Sequence, residues 1–325
     1  MYSLRTLEDA PYRSGTRRVT LLVSATLLLL TNTCLVLPIS AQQLYSPQLT
    51  ETFPVGPNPY GLAFDGANIW VTSAYSDEVT KLRASDGAFL GTFPAGGKTL
   101  LAAFDGTFIW VTNYLNDTVS RLRASDGALE DTFNVGSYPT GILFDGTNIW
   151  VSAHFGNTVT KLRASDGAVL GVFNVSSPGS LVSDGANVWI TNSSDDSVTK
   201  LRGSDGTLQG IFAVGREPAG LVFDGSNIWV ANSADNTLSR LRASDGIPGG
   251  ERAVGRNPNQ LTFDGAHVWV TDYYDSTVMS LDYRRGVRQR TYPVGGAPAG
   301  VLFDGANIWV ANYGSGSVSK ISMRP

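Results

Sequence analysis

Seven Asp-Gly pairs recur along this chain at an almost constant spacing, and each is followed five residues later by a tryptophan. The pairs begin at Asp65, Asp105, Asp145, Asp184, Asp224, Asp264 and Asp304, in steps of 40 residues with a single step of 39. The tryptophans that follow, Trp70, Trp110, Trp150, Trp189, Trp229, Trp269 and Trp309, are all seven in the chain. A fixed period of this length means a modular architecture in which each unit packs on its neighbours.

Within a unit the hydrophobic pattern has period two. Gly61–Phe64 is a short apolar run that ends in the Asp65-Gly66 turn. Asn68–Thr72 is a second strand of β-branched and aromatic residues. Val79–Arg83 alternates apolar and polar, Ser85-Asp86-Gly87 is a hairpin turn, and Phe89–Ala95 is a fourth strand. Four antiparallel strands in about 40 residues make one propeller blade. The expected fold is an all-β, seven-bladed β-propeller. The last unit stops at its third strand, Val318–Ser322, while Thr52–Gly56 repeats the fourth-strand pattern of Thr132–Gly136. The N-terminal strand is therefore expected to complete the last blade, closing the ring and removing the free edges of an open array.

These repeats resemble two groups of known propellers. Ile-Trp-Val-Thr-Asn, followed by Asn/Asp-Thr-Val-Ser and Val-Gly-x-x-Pro-x-Gly, is similar to the YVTN-type surface-protein propellers and to the streptogramin (virginiamycin B) lyase-like propellers, over residues 50 to 325. The second resemblance implies acid–base chemistry by a His in a Pro-His-Gly segment and a Glu in Trp-Phe-Thr-Glu. This sequence has neither; its nearest counterparts are Asn259 and Asp272. Asn is no base near neutral pH, and a single Asp lacks its partner.

The first 41 residues have a different character. Arg5, Arg13, Arg17 and Arg18 precede an apolar run, Val19–Leu37, and a small-residue exit at Ser40-Ala41. The pattern predicts a signal peptide over residues 1–41, the alternative being an N-terminal anchor, and a single propeller over residues 42–325 in an extracytoplasmic location. The only Cys, Cys34, lies in that segment. The expected mature chain is thiol-free, without a membrane span and monomeric. With residues 1–41 removed, 20 basic and 26 acidic residues remain. That balance excludes a basic face for nucleic acid.

A residue present in every blade solves a packing or turn problem. The seven Trp are therefore assigned to packing and the Asp-Gly pairs to turns. The Lys and Arg of the outer strands are assigned to solvated positions. Function is expected in the loops that vary on one end of the ring. Those loops carry Tyr60, Tyr75, Tyr114, Tyr138, His154, Phe155, Asn259, Tyr273, Tyr274 and Tyr313, a set suited to a protein or glycan partner. Two positions per blade are expected to face the central channel. One follows the loop proline, as at Tyr60 and Asn259. The other is the third residue after Trp, giving Asn113, Asn192, Asn232, Asp272 and Asn312. No cofactor is required, but that second set is the candidate oxygen ring for weak Ca²⁺ or Mg²⁺ binding, with Asp272 the candidate catalytic carboxylate. The two histidines, His154 and His267, belong to opposite ends of the ring, which argues against a shared metal site. The expected function is an exported, non-catalytic binding or scaffold module. The alternative is a lyase-like or lactonase-like enzyme working in the channel.

Overall fold

In the computed structural model, the described residues are 50–285 and 287–323; the expected leader, residues 1–41, lies outside them. They form seven four-stranded antiparallel sheets. Blade one consists of Pro59–Phe64, Asn68–Ser73, Glu78–Arg83 and Phe89–Pro94, and the next five blades repeat this order. Blade seven takes three strands from the C-terminal end, Pro298–Phe303, Asn307–Asn312 and Ser317–Ser322, and its fourth from Thr50–Pro54. Thr52 pairs with Ser319 and Phe53 with Val318, so the ring closes as the repeat phase requires. No helix among the described residues is long and apolar enough to cross a membrane.

The repeated residues act as one interlocking set. Each Trp is fully buried, and its indole Nε1–H donates to the Asp five residues earlier, at 2.8 Å in Trp70–Asp65 and Trp229–Asp224. The other carboxylate oxygen of that Asp accepts the backbone N–H groups two and three residues on, which fixes the turn. In every blade but the fifth, where Arg252 takes the place, the indole then packs on the fourth-strand aromatic of its own blade, as in Trp70–Phe93 and Trp110–Phe133, 5.5 and 5.4 Å between centroids. Across the ring closure the same pair is Trp309–Phe53 at 5.8 Å. The Ser-Asp-Gly turn of the next blade lies against that aromatic. A Cβ on Gly127 would come within 2.1 Å of Phe93, and Gly127 also has a positive φ of 77°. Glycine is required there twice over.

The outer cations differ from expectation. Arg83, Arg163 and Arg202 are exposed and paired with the Asp three residues on. Lys81, Lys161, Lys200 and Lys320 are instead buried between blades. Each ammonium lies over the Trp of its own blade, 4.7 Å for Lys81 and 4.8 Å for Lys200. Each also donates to turn carbonyls of the next blade, Lys81 to Ala124 and Lys200 to Ala243, both at 2.7 Å. Arg121 takes this place in blade two, bonding to Ala164 and Ser165. Three-donor heads on long apolar stems suit a seam that is apolar along its depth and lined by carbonyls at its end.

At the other end, a bulge opens the first strand of each blade. In blade one Pro59 pairs with Ser73 and Leu62 with Val71, so Tyr60 and Gly61 face Thr72 alone. The Thr72 hydroxyl accepts from Gly61 N–H at 2.7 Å and donates to Leu100 of the next blade at 2.6 Å. Bulges re-aim side chains, and here the re-aimed position is the one after the loop proline.

Candidate functional site

Eight residues from six inter-strand and inter-blade loops, Ala74, Tyr75, Tyr114, Tyr138, Asn257, Tyr273, Tyr274 and Tyr313, enclose a cup of about 380 Å³ together with Tyr60, Leu100 and Asn259 at the starts of first strands. Seven of the chain's twelve tyrosines are among them, contributed by blades one, two, three, six and seven. No lining residue carries a formal charge at neutral pH.

The rings form two contacting series. Tyr274, Tyr273, Tyr313 and Tyr60 follow one another with centroid spacings of 5.4, 6.3 and 6.3 Å. Tyr75, Tyr114, Tyr138 and Phe155 do so at 6.2, 5.2 and 4.5 Å, with His154 beside Phe155 at 5.1 Å. A hydrogen bond between the Tyr313 and Tyr75 side chains joins the series across blades seven and one. Four of the pairs are close to perpendicular, at 87°, 81°, 80° and 73°.

Loop geometry supports this placement. Tyr75 and Tyr138 have positive φ values of 70° and 60°, unusual for bulky side chains. The backbone N–H of Tyr138 donates to Asp117 at 2.9 Å, and Asn257 N–H donates to Asn236 at 2.8 Å. The polar residue before each of those third strands thus pins the next blade's connection and with it the cup wall. The residue before the loop proline has a positive φ in other blades as well, as at Asn58, Ser177 and Glu217, so at Tyr138 it belongs to the repeated turn.

Burial raises the pKa of Tyr60, Tyr114, Tyr273 and Tyr313, and the neighbouring phenols reinforce the shift. The Asn259 side chain hydrogen-bonds to Tyr60 and partly offsets it. The Tyr114 hydroxyl is sealed from solvent, with the Tyr75 backbone beside it. The charged side chains nearby are paired with one another, Arg256 with Asp275 at 2.6 Å and Lys98 with Asp77 at 3.2 Å.

Of the loop residues picked from the sequence, eight line the cup. His154 and Phe155 do not; they extend its aromatic series outward from Tyr138. Ala74, Leu100 and Asn257 complete the lining. Asn257 was not among the residues picked from the sequence, although Asn-Pro at a blade connection is a turn signal; it has a positive φ of 54°. Ala74 has no sequence signal.

The second set of channel candidates requires correction. Asn113, Asn192, Asn232, Asp272 and Asn312 are 0–2% exposed and line neither the cup nor the channel cavity. They end second strands, one step outward from the innermost strand, and bond within their own blades. Asn232 Nδ2 donates to Thr237 and Ser239, both at 2.9 Å, and Asn192 and Asn312 do the same to Ser/Thr hydroxyls five and seven residues on. Asp272 accepts from Gly255 N–H at 3.0 Å and from the Thr277 hydroxyl at 3.2 Å. The residue type suggested oxygen ligands, but strand direction turns them into the sheet. No cluster of three His, Cys, Asp or Glu suited to a metal occurs among the described residues. His267 pairs with Asp264 in the turn at the opposite end of its strand from Asp272.

Beneath the cup lies a smaller channel cavity of about 130 Å³, lined by Leu62, Leu101, Ile142, Leu181, Leu221 and their neighbours. Tyr60, Leu100 and Asn259 line the cup, and the residues after each, Gly61, Leu101 and Gln260, line the cavity below. Gln260 Nε2 donates to Ser180 Oγ at 3.0 Å, linking blade six to blade four across the channel.

Fold and site together define a seven-bladed β-propeller whose loop end carries a tyrosine-walled cup. The chain is similar in fold to virginiamycin B lyase from Staphylococcus aureus, solved as a catalytically inactive variant with quinupristin: TM-score 0.73, 19% identity, 85% of this chain and 100% of that one covered. A further streptogramin B lyase structure matches at TM-score 0.73 and 19% identity, over 85% of this chain and 98% of that one. Hydrazine synthase from Kuenenia stuttgartiensis matches at TM-score 0.74 and 17% identity, over 88% of this chain and 99% of that one. No family model and no curated protein sequence matches. At these identities the likeness is one of fold.

Proposed function

We propose that this protein is an extracytoplasmic, non-catalytic binding module that takes a protein or glycan partner into the aromatic cup of its loop face. One observation carries the reading: seven tyrosines from five blades enclose a single concavity. Tyrosine gives large, rigid, amphipathic contact area at low entropic cost, the composition of recognition surfaces. The fold neighbours favour a lyase as the second reading. Against it, the cup lining holds no carboxylate or imidazole for acid–base work, and Asp272 is sealed inside its blade. The test is a panel of immobilised peptides and glycans probed with the wild-type protein and with the Tyr273→Ala/Tyr274→Ala double variant. Binding that drops at least about tenfold in the variant, as hot-spot aromatics predict, supports the reading. Equal binding by both proteins removes this rim from it.

A further inference from the structure

We infer that the group held by the tyrosine cup is a quaternary ammonium cation, the head group of fully methylated amines. The inference rests on the binding reading above and specifies its ligand chemistry. It follows from what the cup offers and withholds. Near-perpendicular ring pairs on both series, 87° for Tyr60–Tyr313 and 81° for Tyr75–Tyr114, wall a box rather than tile a flat platform. A flat sugar or planar ring is served by a platform; a compact, near-spherical cation is served by a box of π systems.

The polar groups point the same way. A polyol needs several fixed donors and acceptors. Here the Asn259 side chain is engaged with Tyr60, the Asn257 amide lies 3.5 Å from the Ser233 carbonyl, and Tyr313 is bonded to Tyr75. An anion would find no Lys or Arg in the lining. A primary ammonium would surrender its hydration without a lining carboxylate to replace it. A quaternary ammonium has no N–H to satisfy and is weakly hydrated, so rings and phenol oxygens suffice.

The test is calorimetric titration of the full protein with choline and with 3,3-dimethylbutan-1-ol, which has the same shape with carbon in place of the charged nitrogen. Choline should bind at least about tenfold tighter, the scale of a desolvated cation–π site. Tyr273→Phe and Tyr313→Phe should keep that preference, because the ring remains. Tyr273→Leu and Tyr313→Leu should lose it, with folding checked by thermal melting. Equal affinity for the two ligands, no detectable choline binding, or a preference that survives both leucine variants overturns the inference. Because the peptide and glycan panel is read separately, partner capture without choline preference would leave the binding reading standing.

Discussion

At the scale of single residues, position in the strand decides what a polar side chain does. Asp272 stands where four other blades have Asn, and its oxygens are taken by Gly255 N–H and the Thr277 hydroxyl. Asp272→Asn should therefore change stability by less than about 1 kcal/mol. Asp272→Ala strands a buried donor and should cost about 1–3 kcal/mol, read by urea unfolding; the reverse order would show that the carboxylate has another task. The turn aspartates make a pH prediction. Burial alone would raise the pKa of Asp65, Asp145 and Asp184, but hydrogen bonds from the Trp indole, the Asn side chain and backbone N–H groups outweigh it and hold each below the usual 3.8. A carboxylate with a depressed native pKa contributes stability that is complete above its unfolded pKa and is lost as pH falls through its folded one. Melting temperature should thus be insensitive to these groups at pH 5–7 and fall below about pH 4. A decline already complete at pH 5 would contradict that assignment.

At the scale of the blade, stability comes from seams. Each blade buries its Trp, and blades one, two, three, four and seven also donate a cation to the neighbour, so those seams share both an apolar contact and a charge-assisted bond. Lys200→Met keeps the apolar stem but leaves the Ala243 carbonyl without its ammonium donor. It should cost about 1–3 kcal/mol. Lys200→Arg should be nearly neutral, because Arg121 and its carbonyl partners already fill the equivalent seam in blade two. Comparison of the two denaturation curves separates a specific bond from simple volume. The sequence gives no sign that these Lys are buried. An alternating strand at an outer position looks solvated until the next blade is laid against it.

At the scale of the whole molecule, the ring depends on one short strand. Thr50–Pro54 supplies the fourth strand of blade seven and brings Phe53 onto Trp309, a contact between opposite ends of the chain. Phe53→Ala removes that ring and should cost about 2–4 kcal/mol, toward the lower part of the range for a large-to-small core change because Phe53 is only partly buried. The equivalent change at Phe93, within blade one, should cost a similar amount. Unfolding should stay a single transition in both cases if the ring is cooperative. A separate early transition for Phe53→Ala alone would mean that closure is a local clasp.

The repeat spacing, the period-two strands and the split last unit determined the propeller and its closure, because those signals are local and recur seven times. The loop tyrosines were also legible, since they break a repeat that is otherwise uniform. What only the tertiary structure decided was direction. Bulges at Tyr60 and Asn259 turn those residues toward the cup, while the ladder turns Asn113, Asn192, Asn232, Asp272 and Asn312 into their own blades. Strand alternation fixes which residues share a face, but which face meets the axis depends on how seven sheets tilt and pack around it. That relation is a property of the assembled ring.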